Sequence, residues 1–236
     1  MFAVYKREFR AYMNNVHGWL FMAVLLLFSG FMMFLENLLV GAPNIEYALL
    51  DSEYVLLLMI PVLCMRSMAE DKRNKTDMFY LTLPIKTSAV VLGKYFALLT
   101  VYAIPCAVMA CYPIILGMYG TVNFLGAYTA LLFFFLLGAA LIAVCQFLSG
   151  ITDNLVVSAV LGVLGMLFLY ALIILAYLLP TGWIISDVLE WLSPFLHFEN
   201  AATYGLFNLS SVLLLLSYPV FFLLLTVLSA DKKRWA

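Results

Sequence analysis

Charged residues are scarce in this sequence, and their scarcity excludes most soluble folds. Asp, Glu, Lys and Arg make up 11% of the 236 residues, whereas hydrophobic residues make up 66%. Soluble globular domains are about 25% charged and roughly 45–50% apolar. This composition therefore predicts a chain that crosses a membrane several times, not one that buries a single large core.

Residue patterns that support catalysis or nucleotide binding are also missing from the sequence. The spans contain no HExxH or comparable cluster, so an intramembrane enzyme is not indicated. The sequence has no GxxxxGK[ST] and no soluble α/β stretch to carry one, so we expect no ATP site in this chain. With no basic patch on a soluble surface, nucleic acid is not a predicted partner.

The four cysteines and two histidines have simple structural interpretations. All four cysteines lie in apolar stretches, which is typical of small hydrophobic helix residues and does not indicate a disulfide framework. His17 is expected at a membrane interface. His197, with Glu199 nearby, does not by itself make a metal site.

Long apolar runs predict six membrane-spanning helices. About 20 apolar residues in a helix cross a hydrocarbon core of roughly 30 Å. The predicted spans are residues 16–35, 51–68, 89–117, 124–148, 155–179 and 209–230. Residues 36–50 are a predicted outer loop, and residues 180–208 a predicted outer segment with a short interfacial helix. The fold class is therefore all-α, a polytopic membrane protein with one transmembrane domain over residues 1–236.

Residues 1–15 predict a helix that lies along the membrane surface as an elbow before the first span. Aromatic residues recur there at helical spacing, with basic residues between them. Long basic side chains near a membrane can reach the interface with their charged ends. The predicted interfacial anchors are Lys6, Arg7, Arg10, Arg66 and Lys94.

The distribution of basic residues predicts the orientation of the chain. Three of the twelve lie in the elbow, six in residues 65–94 and three at the C-terminus, whereas the predicted outer segments contain acidic residues and no basic ones. By the positive-inside rule, both termini and residues 65–94 face the cytoplasm. The outer acids Asp51 and Glu53 either line an exit or bind cations, or are simply what this charge partition leaves outside.

Residues 65–94 contain a solvated charged run followed by a predicted short helix, Thr76–Leu83, which Pro84 ends. Thr76 suits the N-cap and Asp77 the first turn. Exposed apolar residues on this helix, among them Met78, Phe79 and Leu81, indicate that it packs on the spans or docks into a partner. An ordinary connector between two spans remains the alternative.

Three separated pieces of the sequence, Tyr5–Tyr12, residues 65–94 and Ser149–Asn154, carry a resemblance to a known family. They resemble the ABC-2 (type V) family of transporter permeases, in particular the small six-span permeases related to gliding motility and nitrous-oxide-reductase maturation. Tyr5–Tyr12 is similar to the family's YKRELxxYF start, and Ser149–Asn154 is similar to its SSLTxNQ turn. Residues 65–94 resemble MRxxAEExRxGTxExLLTLPVxxxxIVLGK. Two positions depart from that pattern: Lys75 replaces a Gly, and Asp77 replaces a Glu.

This resemblance implies that residues 69–88 contain a coupling helix that docks on a separate nucleotide-binding ATPase subunit. The implied contacts are Glu70, Asp71, Lys72, Arg73, Lys75, Thr76, Asp77, Met78, Phe79 and Leu81. ATP and Mg²⁺ would bind that subunit, so no cofactor is expected in this chain. The other implied partners are a second permease copy or a related permease, the lipid bilayer and an accessory extracytoplasmic subunit. The implied location is the plasma (inner) membrane of a bacterium.

Other functions remain as alternatives. A channel or secondary carrier would work without ATP, but a carrier usually has ionisable residues in mid-span, and spans 1, 3, 4, 5 and 6 have none at their centres. A complex of the ABC type could also power assembly instead of solute export.

Two local predictions concern the fifth span. Asp153 is a predicted N-cap for that span. The small residues Ser158, Gly162 and Gly165 favour close helix packing within the chain over a dimer face.

Overall fold

The computed structural model describes residues 1–41, 44–74, 86–179, 184–205 and 207–235. Residues 233–235 are described by their backbone alone. Within these ranges all regular secondary structure is helical. The helices are α1 (Phe2–Met13), α2 (Val16–Met32), a π-helix (Met33–Leu39), α3 (Ile45–Cys64), α4 (Ala69–Arg73), α5 (Thr87–Met109), α6 (Tyr112–Leu116), α7 (Phe124–Ser149), α8 (Leu155–Leu178), α9 (Ile184–Leu192), α10 (Pro194–Tyr204) and α11 (Leu209–Trp235).

Six helical stretches among the described residues are long and apolar enough to cross a membrane. They are Val16–Leu39, Ile45–Arg73, Thr87–Leu116, Phe124–Ser149, Leu155–Leu178 and Leu209–Lys232. The predicted all-α polytopic fold with six spans is thereby confirmed.

The first two spans are longer than predicted, and the outer loop between them is much shorter. The π-helix continues the first span to Leu39, and α3 begins at Ile45, six residues before its predicted start. The charged residues of this stretch suggested a loop. Glu46 instead lies in the first turn of α3, where a carboxylate meets the positive end of the helix dipole. Gly41 has a φ of +73°, which favours glycine, just beyond the π-helix.

The third span, predicted as residues 89–117, consists of two helices. Helix α5 ends at Met109 and α6 begins at Tyr112. Pro113 has no N–H to donate to the carbonyl of Met109, so the helical hydrogen-bond pattern is interrupted at this position. Pro105, in contrast, stays inside α5.

The N-cap predicted for the fifth span is wrong by one residue. Asn154, not Asp153, precedes α8, and its side-chain oxygen accepts a hydrogen bond from the Val156 N–H at 3.0 Å. Asp and Asn cap helices about equally well, so the sequence does not distinguish the two positions.

Helix α7 lies at the centre of the bundle and packs against α3, α5, α8, α10 and α11. Neighbouring helices approach one another closely at glycine residues. Gly138 faces the ring of fully buried Tyr102, whose hydroxyl donates to the carbonyl of Phe134 at 2.8 Å. Gly162 faces Pro61 of α3, and Gly165 faces the side chain of Leu148 in α7. The interpretation of these two small residues as packing positions within the chain is confirmed.

Candidate functional site

One end of the bundle gathers α1, α4, the first turns of α5, the turn between α7 and α8, and the last turns of α11; we call it the α4 end. The hydrogen bond from the Tyr12 hydroxyl to the carbonyl of Leu63, at 3.4 Å, attaches α1 to the last turn of α3 at this end. The basic residues whose side chains the structure describes all belong to these elements or to the residues beside them. The α4 end also carries Glu70, Asp71, Lys72 and Arg73, which the sequence predicts to contact a partner.

Helix α4 immediately precedes residues 75–85 and is held at its start by a side chain from another helix. The hydroxyl oxygen of Ser149, at the end of α7, accepts hydrogen bonds from the N–H groups of Met68 at 3.3 Å and Ala69 at 3.2 Å. The first N–H groups of a helix have no acceptor within that helix. Ser149, although part of α7, therefore caps the N-terminus of α4 and fixes the position of that helix.

Lys94 joins α4 to α5 and α1. Its side chain is 3% exposed, and its ammonium lies 2.5 Å from the Asp71 carboxylate and 3.7 Å from the Glu8 carboxylate. The ammonium also donates to the carbonyl of Ser67. A buried ammonium is tolerated where several oxygen atoms replace its hydration, so this arrangement fixes three elements relative to one another.

Lys72 connects α4 to the turn between α7 and α8. Its ammonium donates to the carbonyl of Gly150 and lies 3.8 Å from the Asp153 carboxylate. The side chain of Lys72 is 11% exposed. This second buried cation therefore fixes the other flank of α4.

Arg66 makes a two-point pair with Glu70, one turn further along the chain. The two N···O distances are 2.9 and 2.7 Å, and a third guanidinium nitrogen lies 3.3 Å from His17. A small cavity of about 30 Å³ lies beside this pair, lined by Glu8, Ala11, Tyr12, Asn15, Arg66 and Glu70. Burial raises the pKa of Tyr12 well above its usual value, so its phenol stays neutral and serves as a hydrogen-bond donor.

The other end of residues 75–85 is attached as well. The Thr87 hydroxyl, in the first turn of α5, donates a hydrogen bond to the Asp231 carboxylate near the end of α11. Residue 74 follows α4 and residue 86 precedes α5, so both neighbours of the segment belong to attached elements. The geometry thus fixes the two points between which residues 75–85 run.

The predicted contact residues fall into two groups. The side chains of Glu70, Asp71 and Lys72 make the contacts within the chain described above, whereas Arg73 is exposed. The remaining predicted contacts lie outside the described residues: Lys75, Thr76, Asp77, Met78, Phe79 and Leu81. A role of either group in contacting an ATPase stays a prediction.

The predicted interfacial anchors also differ in their surroundings. Lys6 and Arg10 are exposed, and Arg7 pairs with the neighbouring Glu8. Arg66 and Lys94 are paired with acidic residues within the chain. Their predicted placement at a membrane surface stays a prediction.

The contributions of Ser149 and Gln146 are not apparent from the sequence alone. Ser149 supports α4 as described, and the buried amide of Gln146 donates to the carbonyl of Val91 at 3.0 Å, joining α7 to α5. The only feature that distinguishes them in the sequence is a polar side chain near the end of a long apolar span. This feature does not identify the residue to which the side chain forms a hydrogen bond.

Comparison with known proteins agrees with this architecture. The family model described as "ABC-2 family transporter protein" matches residues 42–229, from just before α3 into the last turns of α11. No curated protein matches the chain. The matched region holds α4 and the residues at both ends of the 75–85 segment. The chain therefore belongs to the ABC-2 family of transporter proteins.

Proposed function

We propose that this permease works with a separate ATPase subunit, which acts on α4 and residues 75–85. Family membership makes the chain the membrane subunit of a transporter of the ABC type. The observation that supports the finer proposal is the attachment of α4 to α1, α5 and α7 directly before the predicted docking helix. A segment that receives force needs such connections to transmit it.

The path of transmission follows these contacts. A force applied to residues 75–85 is transmitted to α4, which precedes the segment, and to the start of α5, which follows it. Helix α4 passes the movement to α3, whose C-terminal end it follows, and through Lys94 to α1 and α5. The second and third spans then move as packed levers, because close-packed helices shift as units instead of deforming.

The remaining parts of the proposal concern the assembly. ATP and Mg²⁺ bind the ATPase subunit, and two permease copies, identical or related, form the transport path between them. The α4 end faces the cytoplasm of a bacterial cell, in agreement with the clustering of basic residues there. Substrate moves outward, and an extracytoplasmic subunit receives it. The permease resembles the gliding-motility and nitrous-oxide-maturation type in its residue pattern over 65–94.

The experiment uses the full chain purified from its native membrane together with any ATPase subunit bound to it. Thr76→Ala/Asp77→Ala should abolish vanadate-sensitive ATP hydrolysis in the purified complex or remove the ATPase subunit. The melting temperature of the permease should not change, because neither residue belongs to the six spans. Asp187→Ala in α9 is the control, since it removes an exposed acid far from α4 in the sequence.

Two outcomes would contradict the proposal. One is unchanged ATP hydrolysis and assembly in the Thr76→Ala/Asp77→Ala variant. The other is a purified permease that transports in reconstituted vesicles without ATP, which would indicate a channel or carrier.

A further inference from the structure

A pair of carboxyl groups lies inside the bundle at the end opposite α4. Glu53 belongs to the N-terminal half of α3, and its side chain is 1% exposed. Glu199 belongs to α10, which packs against α3 and α7, and it is about half-buried. The two carboxyl groups lie within hydrogen-bonding reach of each other.

Among the described residues, no cation is placed to neutralise the pair. Every Lys and Arg of the sequence lies in residues 6–10, 66–94 or 232–234. The nearest along α3, Arg66, is 13 residues from Glu53, roughly 20 Å along a helix. His197 uses both ring nitrogens elsewhere, at 2.9 Å from the Ser211 hydroxyl and 3.0 Å from the Trp191 carbonyl.

The other titratable groups around the pair are acidic or neutral, so none of them supplies a positive charge. Asp51 of α3 and the tyrosines Tyr170 and Tyr177 of α8 interact with one or both acids of the pair. Asp51 interacts in turn with Glu36 of the π-helix, and the Tyr170 hydroxyl lies 3.3 Å from that of Tyr54 in α3. Helices α2 and α7 contain no Asp, Glu, Lys or Arg. The Glu53 oxygen Oε2 is buried and has no hydrogen-bond partner among the described residues.

Two carboxylates in contact, without a cation, cannot both be ionised at low cost. Their charges repel, and burial removes the water that would stabilise either charge. A carboxylate also has no hydrogen to donate, so a hydrogen bond between the two requires one proton. Aspartic-protease dyads share a proton for the same reason.

We propose that Glu53 and Glu199 bind one proton between them and that this shared proton holds α10 against α3. The site is a proton-binding site, since the described residues offer no group of three or more His, Cys, Asp or Glu arranged for a metal ion. This inference does not depend on the ATPase partner. It assigns a specific role to an acid that the sequence places at the outer end of the second span and for which several interpretations were open.

The pair predicts how stability depends on pH. Burial raises the pKa of Glu199, so the folded chain keeps its proton to a higher pH than the unfolded chain does. Stability is then greatest at low pH and falls as the pH rises above the usual glutamate value of about 4.3. Glu53→Gln should flatten this dependence, because an amide can donate to Glu199 at any pH.

The direct test is infrared spectroscopy of the full chain in lipid nanodiscs at neutral pH. The wild type should show the carbonyl band of a protonated carboxyl group, with the small shift expected on exchange into D₂O. Glu53→Gln should lose part of this band, because the single remaining carboxylate of Glu199 can accept a hydrogen bond from the new amide and no longer needs the shared proton. Asp187→Asn, at an exposed position of α9, should retain it.

Several outcomes would overturn the proposal. These are a wild type without the band, a band of unchanged intensity in Glu53→Gln, and a metal ion that co-purifies with the wild type but not with Glu53→Gln. A wild type without the band would overturn the proposal whether or not the variants fold.

Discussion

At the scale of single residues, the sequence indicates that Lys94 is unusual, but the surroundings predicted for its side chain differ from those in the fold. Its place near the start of an apolar span predicts a side chain that reaches for the membrane surface. In the fold the side chain is buried between α1, α4 and α5, and its ammonium meets protein oxygen atoms. The partners Asp71 and Glu8 are distant in sequence, so local pattern could not identify them.

Replacing Lys94 with Met should destabilise the chain by about 3 kcal/mol, because Asp71 and Glu8 lose a buried cationic partner. Adding Asp71→Asn to this variant should recover part of the loss, since the neutral amide needs no cation. The measurement is the melting of the full chain in one detergent for the wild type, both single variants and the double variant. Strictly additive losses would show that the two side chains do not interact.

At the scale of elements, the sequence predicted the spans well and the boundaries poorly. Apolar runs identify a helix in a membrane reliably, because every backbone group must be bonded within the span. The loop prediction was wrong at Glu36 and Glu46, which lie in helices. Helix α4 could not be separated from the charged run around it, because its N-terminal support comes from Ser149 on another helix.

Ser149→Ala should cost about 1 kcal/mol, the usual value for losing an N-cap, because the N–H groups of Met68 and Ala69 lose their acceptor. Ser158→Ala in α8 is the matched control. Its hydroxyl is buried without a hydrogen-bond partner among the described residues, so its removal should be neutral or stabilising. Equal melting temperatures for the two variants would contradict the assigned role of Ser149.

At the scale of the whole molecule, charge is divided between the two ends. The described basic side chains gather at the α4 end, while the opposite end holds the acidic group around Glu53. The sequence predicted this division because the positive-inside rule needs only the order of spans and loops. It could not predict that Glu53 and Glu199 meet, since that contact depends on how α10 folds back onto α3.

The proposed orientation can be measured with reporter fusions to the full chain. Green fluorescent protein joined after residue 236 should fluoresce, because it folds in the cytoplasm. Alkaline phosphatase inserted between α10 and α11 should be active, because it requires the extracytoplasmic side. The reverse pattern would invert the orientation and place the α4 end outside the cell.

The attachment of both neighbours of residues 75–85 has a consequence for affinity. A chain segment whose ends are held at fixed points has fewer conformations to lose than a free tail of the same length. Any partner that orders this segment therefore pays a smaller entropic cost on binding. Ser149, Lys94 and Thr87, none of which needs to touch that partner, would then contribute to how tightly it binds.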